Sequence, residues 1–132
     1  MAQEATYGGV LRELRSGRKT GHWMWFVFPQ VAGLGISSMS RHFAIGSIDE
    51  ARAYLAHPVL GARLRECAGI ILSTTGRSAE AILGSTDAKK LRSSMTLFHR
   101  AAPEVEIFGQ VLDRYFDGRA DEATEARVGL HP

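Results

Sequence analysis

Three short segments hold residue types that could do chemistry together. The first runs from Lys19 through His22, Trp23, Met24 and Trp25 to Pro29 and Gln30. Imidazole is the side chain whose ordinary titration straddles neutral pH, so His22 is the candidate general acid/base. Lys19 would supply charge, Trp23 or Trp25 could stack on a base, and Gln30 closes the segment. The second is Gly33-Leu34-Gly35-Ile36-Ser37-Ser38 followed by Met39-Ser40-Arg41-His42. A glycine-rich turn opening a helix offers free amides to an anion, with Ser37 and Arg41 beside them. It carries only two glycines of a dinucleotide motif and follows no βαβ unit, so a Rossmann site is excluded. In the third, Lys90 and Ser94 stand four residues apart, on one face of a helix, where they could hold a phosphate or carboxylate.

Each segment also has a purely structural use. A histidine can simply pack on tryptophan, and aromatics in an apolar run are more often core than stacking platforms. The Ser37 turn can be an ordinary capped helix start, and Ser93-Ser94 can let two helices approach closely while Asp87 caps. One expectation separates a site from a set of helix caps. Lys19, His22, Arg41 and Lys90 should converge on one cleft, and cations gathered there need an anion, or a carboxylate such as Asp87, to compensate them.

Composition narrows the classes. The 132 residues, 45% of them hydrophobic, suit one domain, 1–132, around one core. No acidic residue occurs between Leu14 and Ile48, which favours an anionic partner, whereas residues 101–132 carry 7 Asp/Glu against 3 Lys/Arg. The formal net charge is only +2, thin for a phosphate-backbone footprint, so nucleic acid is not the expected partner. The single cysteine, Cys67, permits no internal disulfide, suits a reducing cytoplasm and cannot found a structural zinc site. The five histidines show no paired metal spacing, so neither a metal nor another cofactor is expected. The longest apolar stretch, Trp23 to Pro29, is far short of a membrane span, which predicts a cytoplasmic protein with no membrane partner.

Helical punctuation supplies the scaffold. Tyr7, Val10, Leu11 and Leu14 recur at helical spacing before Gly17 stops the helix. Ser47 and Glu50 form a capping box for a helix that ends before Pro58, and Pro58 suits the first turn of the next, with Leu60, Leu64, Cys67, Ile71 and Leu72 as its buried stripe. His57-Pro58 is the junction between them. Ser78 can cap a short helix ending at Gly84, and Asp87 another that turns Leu91, Met95 and Phe98 inward. Pro103 opens a helix bearing Phe108, Val111, Leu112, Tyr115 and Phe116. Residues 119–132 are polar and expected to fray, although Asp121 could cap a final turn. Trp23–Phe28 reads as a buried helical turn or irregular segment, because a lone strand would leave its ladder unpaired. Ser37 to Phe43 adds a short helix. The fold class is all-α, a single-domain multi-helical bundle.

The motifs Lys19-x-x-His22-Trp23-Met24-Trp25-Phe26-x-Phe28-Pro29-Gln30, Glu50-Ala51-x-Ala53-Tyr54-Leu55-x-His57-Pro58-x-Leu60-Gly61 and Ser93-Ser94-Met95-Thr96-Leu97-Phe98 resemble a bacterial family of unknown function whose members are sometimes labelled calpastatin-like. The resemblance spans nearly the whole chain and implies an all-helical single domain. Calpastatin inhibitory segments are disordered and repetitive, whereas this chain has the apolar content of a folded domain. Members usually carry an Asp/Leu/Arg/Phe-containing segment ahead of the position of Ala2-Gln3, so a truncated or misassigned start is expected here. The size and helical class are also similar to the N-glycosidases associated with NAD and ADP-ribose, an analogy without a matched motif.

The sequence thus predicts a cytosolic helical protein binding a small anionic or nucleotide-derived ligand in a Lys/His/Trp-lined pocket. His22 is the catalytic candidate and Lys19, Trp23, Trp25, Gln30, Ser37, Arg41, Lys90 and Ser94 the binding candidates. A protein-interaction module is the alternative from another class, its protein partner unknown, and an N-glycosidase-like enzyme acting on an ADP-ribose-type metabolite is a third.

Overall fold

Tyr7, Val10, Leu11 and Leu14 lie on the first helix, α1 (Ala2–Ser16), and Gly17 ends it in the left-handed region at φ 76°. The Gly17 N–H donates to the Leu14 carbonyl and the Arg18 N–H to the Glu13 carbonyl, both at 3.1 Å. These two bonds form a Schellman motif, which satisfies carbonyls that the helix itself leaves open and needs a backbone conformation that glycine adopts without strain. The turn sends Lys19 out of the helix in a fixed direction. The computed structural model describes residues 2–19, 24–30, 45–74 and 76–129.

Seven more helices follow among those residues: α2 (Met24–Val27), α3 (Ile48–Ala56), α4 (Leu60–Ser73), α5 (Ala79–Leu83), α6 (Ser85–Ala101), α7 (Glu106–Phe116) and α8 (Glu122–Gly129). The described residues contain no strand, so the fold is all-α, and none of their helices is long and apolar enough to cross a membrane. The apolar run around Met24 forms a single helical turn, with Met24, Val27 and Phe28 fully buried. Ser47 accepts from the Glu50 N–H at 3.1 Å, while Glu50 reaches back to the Gly46 N–H at 2.7 Å, one residue beyond the usual capping-box target.

The corner between α3 and α4 is tight. His57 Nδ1 accepts from the N–H groups of both Val59 and Leu60 at 3.1 Å and so caps the start of α4. A Cβ at Gly61 would lie 2.0 Å from the Leu55 carbonyl oxygen, so glycine is what lets the two helices close on each other.

The centre of the fold is α6, which packs against α2, α3, α5, α7 and α8. From Ser93 to Phe98 every residue is buried, so that stretch is enclosed on all sides. Phe98 anchors it, with ring centroids 5.5 Å from Tyr54 of α3 and 5.8 Å from Phe108 of α7. Leu64, Cys67 and Ile71 of α4 join the same cluster, whereas Leu60 and Leu72 are half-buried.

Four expectations change. Asp87 does not cap α6: the helix begins at Ser85 after Gly84, which leaves the Asp87 carboxylate in the first turn and available to distant partners. α4 is regular only from Leu60, because His57 and Pro58 build the turn ahead of it. Pro103 does not open α7, which starts at Glu106. Proline's fixed φ suits the second position of a β-turn as well as a helix start, and the Val105 N–H closes such a turn on the Ala102 carbonyl at 3.0 Å.

The polar tail is also ordered further than its composition suggests. Asp121 Oδ2 accepts from the Thr124 N–H at 2.9 Å and from its hydroxyl at 2.6 Å, capping all of α8. Arg92 donates to the Arg119 and Ala120 carbonyls at 2.9 Å, and Arg100 pairs with Glu125 at 2.6 Å.

Candidate functional site

Lys19 leaves the end of α1 and is fixed at both ends. Its backbone N–H donates to the Ile82 carbonyl of α5 at 2.7 Å, and its Nζ lies 2.7 Å from Asp87 Oδ2 on α6. The Lys19 side chain is only 7% exposed and that of Asp87 19%, so water screens this pair weakly. A buried cation of this kind is tolerated because an opposite charge and hydrogen bonds replace its hydration. The pair joins two segments far apart in sequence.

Lys90 stands one turn after Asp87, its Nζ 3.7 Å from Asp87 Oδ1 and its side chain 26% exposed. That separation is an ion pair without a hydrogen bond. A further turn on, Ser94 is completely buried and its hydroxyl has no hydrogen-bond partner among the described residues. Spacings of three and four residues put Asp87, Lys90 and Ser94 on one stripe of α6. The structure therefore brings Lys19 and Lys90 together at Asp87, with Ser94 a turn beyond Lys90 on the same helix.

His22, Trp23, Ser37 and Arg41 lie outside the described residues, as do the short helix expected over Ser37 to Phe43 and the side chain of Trp25, whose backbone belongs to α2. Gln30 is half-buried, and its carbonyl accepts from the Ile45 N–H at 2.9 Å. The turn α2 packs on α1, α4 and α6, the last of which carries Asp87, Lys90 and Ser94.

Sequence reasoning missed a second polar cluster, between α1 and α4. Tyr7 donates to Glu66 Oε1, the Arg63 guanidinium lies 4.5 Å over the Tyr7 ring, and the Cys67 thiol donates to the Tyr7 oxygen at 3.8 Å. Burial pushes the Cys67 thiol up to about 12, which keeps it protonated and a poor nucleophile at neutral pH. Burial, and then the bond to Glu66, raise the Tyr7 phenol well above its ordinary range. Tyr7 and Cys67 read in sequence as members of two helical stripes, and nothing local signals that they meet. Among the described residues no group of three or more His, Cys, Asp or Glu side chains could hold a metal ion.

Comparison with known proteins adds a family without a chemistry. A family model described as "Protein of unknown function (DUF1810)" matches residues 1–128. The crystal structure of the conserved hypothetical protein Rv1873 from Mycobacterium tuberculosis is similar at 49% identity, with a TM-score of 0.95, over 97% of this chain and 91% of that one. No curated protein matches the chain.

Proposed function

The chain belongs to the DUF1810 family of proteins of unknown function, and on that premise we propose that it binds a small anionic ligand, nucleotide-derived in its fuller form, at the cluster of Lys19, Asp87, Lys90 and Ser94. The observation that carries the reading is Ser94, whose buried hydroxyl is without a partner among the described residues, one turn from a half-buried lysine. A buried hydroxyl without a hydrogen bond costs on the order of 1–3 kcal/mol, and a fold under no other demand would replace it with alanine. In this reading Lys90 supplies the charge and Ser94 the hydrogen bond, while the Lys19–Asp87 pair fixes the wall. His22, Trp23, Trp25, Gln30, Ser37 and Arg41 complete the proposal, with His22 as acid/base should the ligand also be turned over.

The interaction-module alternative has less behind it. The acidic end of the chain is partly spent inside the fold, through Asp121 at the α8 cap and Glu125 on Arg100. Val59, at 36%, is the large apolar side chain that stands exposed among the described residues. Native mass spectrometry of the purified protein, with thermal shifts in phosphate, nucleotides and ADP-ribose, tests the reading. A retained anionic molecule whose binding Lys90→Ala abolishes is the expected result. No retained molecule and no thermal shift would hand the case to the interaction module, and release of a free base from ADP-ribose-type metabolites would extend it to the enzyme reading.

A further inference from the structure

A basic cleft of about 450 Å³ opens where the C-terminal ends of α1 and α4 meet the loop before α5. We propose that this cleft, lined by Arg15, Ser16, Gly17, Ser73, Thr74 and Arg77, binds a small hydroxylated organic phosphate of sugar-phosphate size.

Charge comes first. Arg15 stands in the last turn of α1 and Arg77 in the loop between α4 and α5, so two guanidiniums reach the cleft from different walls. No carboxylate is among the described residues that line it. The helix ends oppose an anion, since each C-terminus carries roughly half a negative charge. Two full positive charges against two such half charges still leave about +1. At the end of α1 the Schellman bonds to Leu14 and Glu13 have already satisfied two of the carbonyls concerned.

Arg15 alone would be explained by the helix dipole. Arg77 would not, because it belongs to no helix. Its Nη2 donates to the Ala81 carbonyl at 3.1 Å, and its Cδ would lie 3.4 Å from a Cβ placed on Gly17. The side chain is thus laid over the one residue of the α1 end that has no side chain of its own. One contact uses one of five guanidinium donors, which leaves a fork suited to phosphate.

The hydroxyls identify the rest of the ligand. Ser16 donates to the Glu13 carbonyl at 2.8 Å, Ser73 to Ile70 at 2.8 Å and Thr74 to Ile70 at 3.0 Å. With their protons committed to the backbone, their oxygens are left as acceptors. Acceptors do not suit a phosphate, but they do suit the hydroxyl groups of a sugar. The volume agrees, because small-molecule sites begin at about 300 Å³ and a lone phosphate would fill little of this one.

This site is independent of the cluster at Lys90, although α5 connects the two: Ala81 receives Arg77 and Ile82 receives Lys19. The test is a titration of the whole chain with ribose 5-phosphate, ribose and inorganic phosphate, followed by amide NMR. Ribose 5-phosphate should shift the Gly17, Ser73, Thr74 and Arg77 amides. Arg15→Gln, at an exposed helix end, should fold normally and weaken binding about tenfold, the worth of one charge-assisted hydrogen bond. Arg77→Lys, which keeps charge and stem, should weaken it too, and Lys90→Ala should leave it unchanged. No shift at these amides at millimolar ribose 5-phosphate, or affinity indifferent to Arg15→Gln, would overturn the proposal. Inorganic phosphate binding as tightly as ribose 5-phosphate would overturn the ligand class.

Discussion

Two hydroxyls on α6 sit two residues apart, both buried, and their surroundings differ completely. Thr96 Oγ1 donates to the Arg92 carbonyl at 2.8 Å and accepts from the Asp121 N–H at 2.8 Å, which pins the loop ahead of α8. Ser94 Oγ has no hydrogen-bond partner among the described residues. Both are small polar residues in the stretch of α6 that is buried throughout, so packing alone treats them alike. Thr96 is explained by its bonds within the fold, whereas Ser94, on the same stripe as Lys90 and Asp87, is the residue on which the proposed ligand site rests.

The same division should appear in energies. The largest effect belongs to the pair that fixes the wall of the cluster. Asp87→Ala removes the 2.7 Å partner of a lysine that is 7% exposed, and it should cost on the order of 3 kcal/mol in denaturant unfolding. A cost under about 0.5 kcal/mol would mean that the pair behaves like an exposed surface bridge. Next comes Thr96→Val, nearly the same shape without the hydroxyl. It strands the Asp121 N–H and should cost about 2 kcal/mol, with faster proteolysis after Arg119 as α8 loosens.

The pair of Tyr7 and Cys67 between α1 and α4, one half-buried and one buried, sharpens the contrast by pH. Cys67 titrates near 9.0 ordinarily and near 12 in the fold, so above pH 9 the unfolded chain binds fewer protons than the native one. Stability is therefore full below pH 9 and falls as pH rises toward 12, and Tyr7, also raised, deepens the fall. Cys67→Val should flatten the alkaline limb in part and leave the curve below pH 9 unchanged in shape. An unaltered alkaline limb would show that Cys67 is not held protonated by burial.

How much could be read in advance follows the range of each interaction. Gly17, Ser47 and Ser78 were legible because a cap is completed within four residues of itself. Asp87 looked equally like a cap, since the lysine that claims it arrives from the end of α1, and local spacing does not carry such a pairing. α8 was read short for the same reason: Asp121 was legible as the cap of a final turn, but the polar composition suggests fraying, and the anchors Arg92, Thr96 and Arg100 all lie on α6. Of the candidate residues, Lys19 and Lys90 both pair with Asp87, a carboxylate that sequence offered as one possible counter-charge, and Ser94 lies a turn beyond Lys90 on the same helix. The periodicity that placed Lys90 and Ser94 on one face says nothing about whether a hydroxyl finds a partner. That depends on every helix packed against it.

Ser94→Ala tests the central claim most directly, through its unfolding midpoint without ligand and its thermal shift with phosphate, nucleotides and ADP-ribose. Removing an unpartnered buried hydroxyl should leave the midpoint unchanged or raise stability by up to about 1 kcal/mol, while the ligand-induced shift disappears. A loss of stability as large as that of Thr96→Val, with the ligand-induced shift intact, would show that Ser94 serves the fold and that the site lies elsewhere.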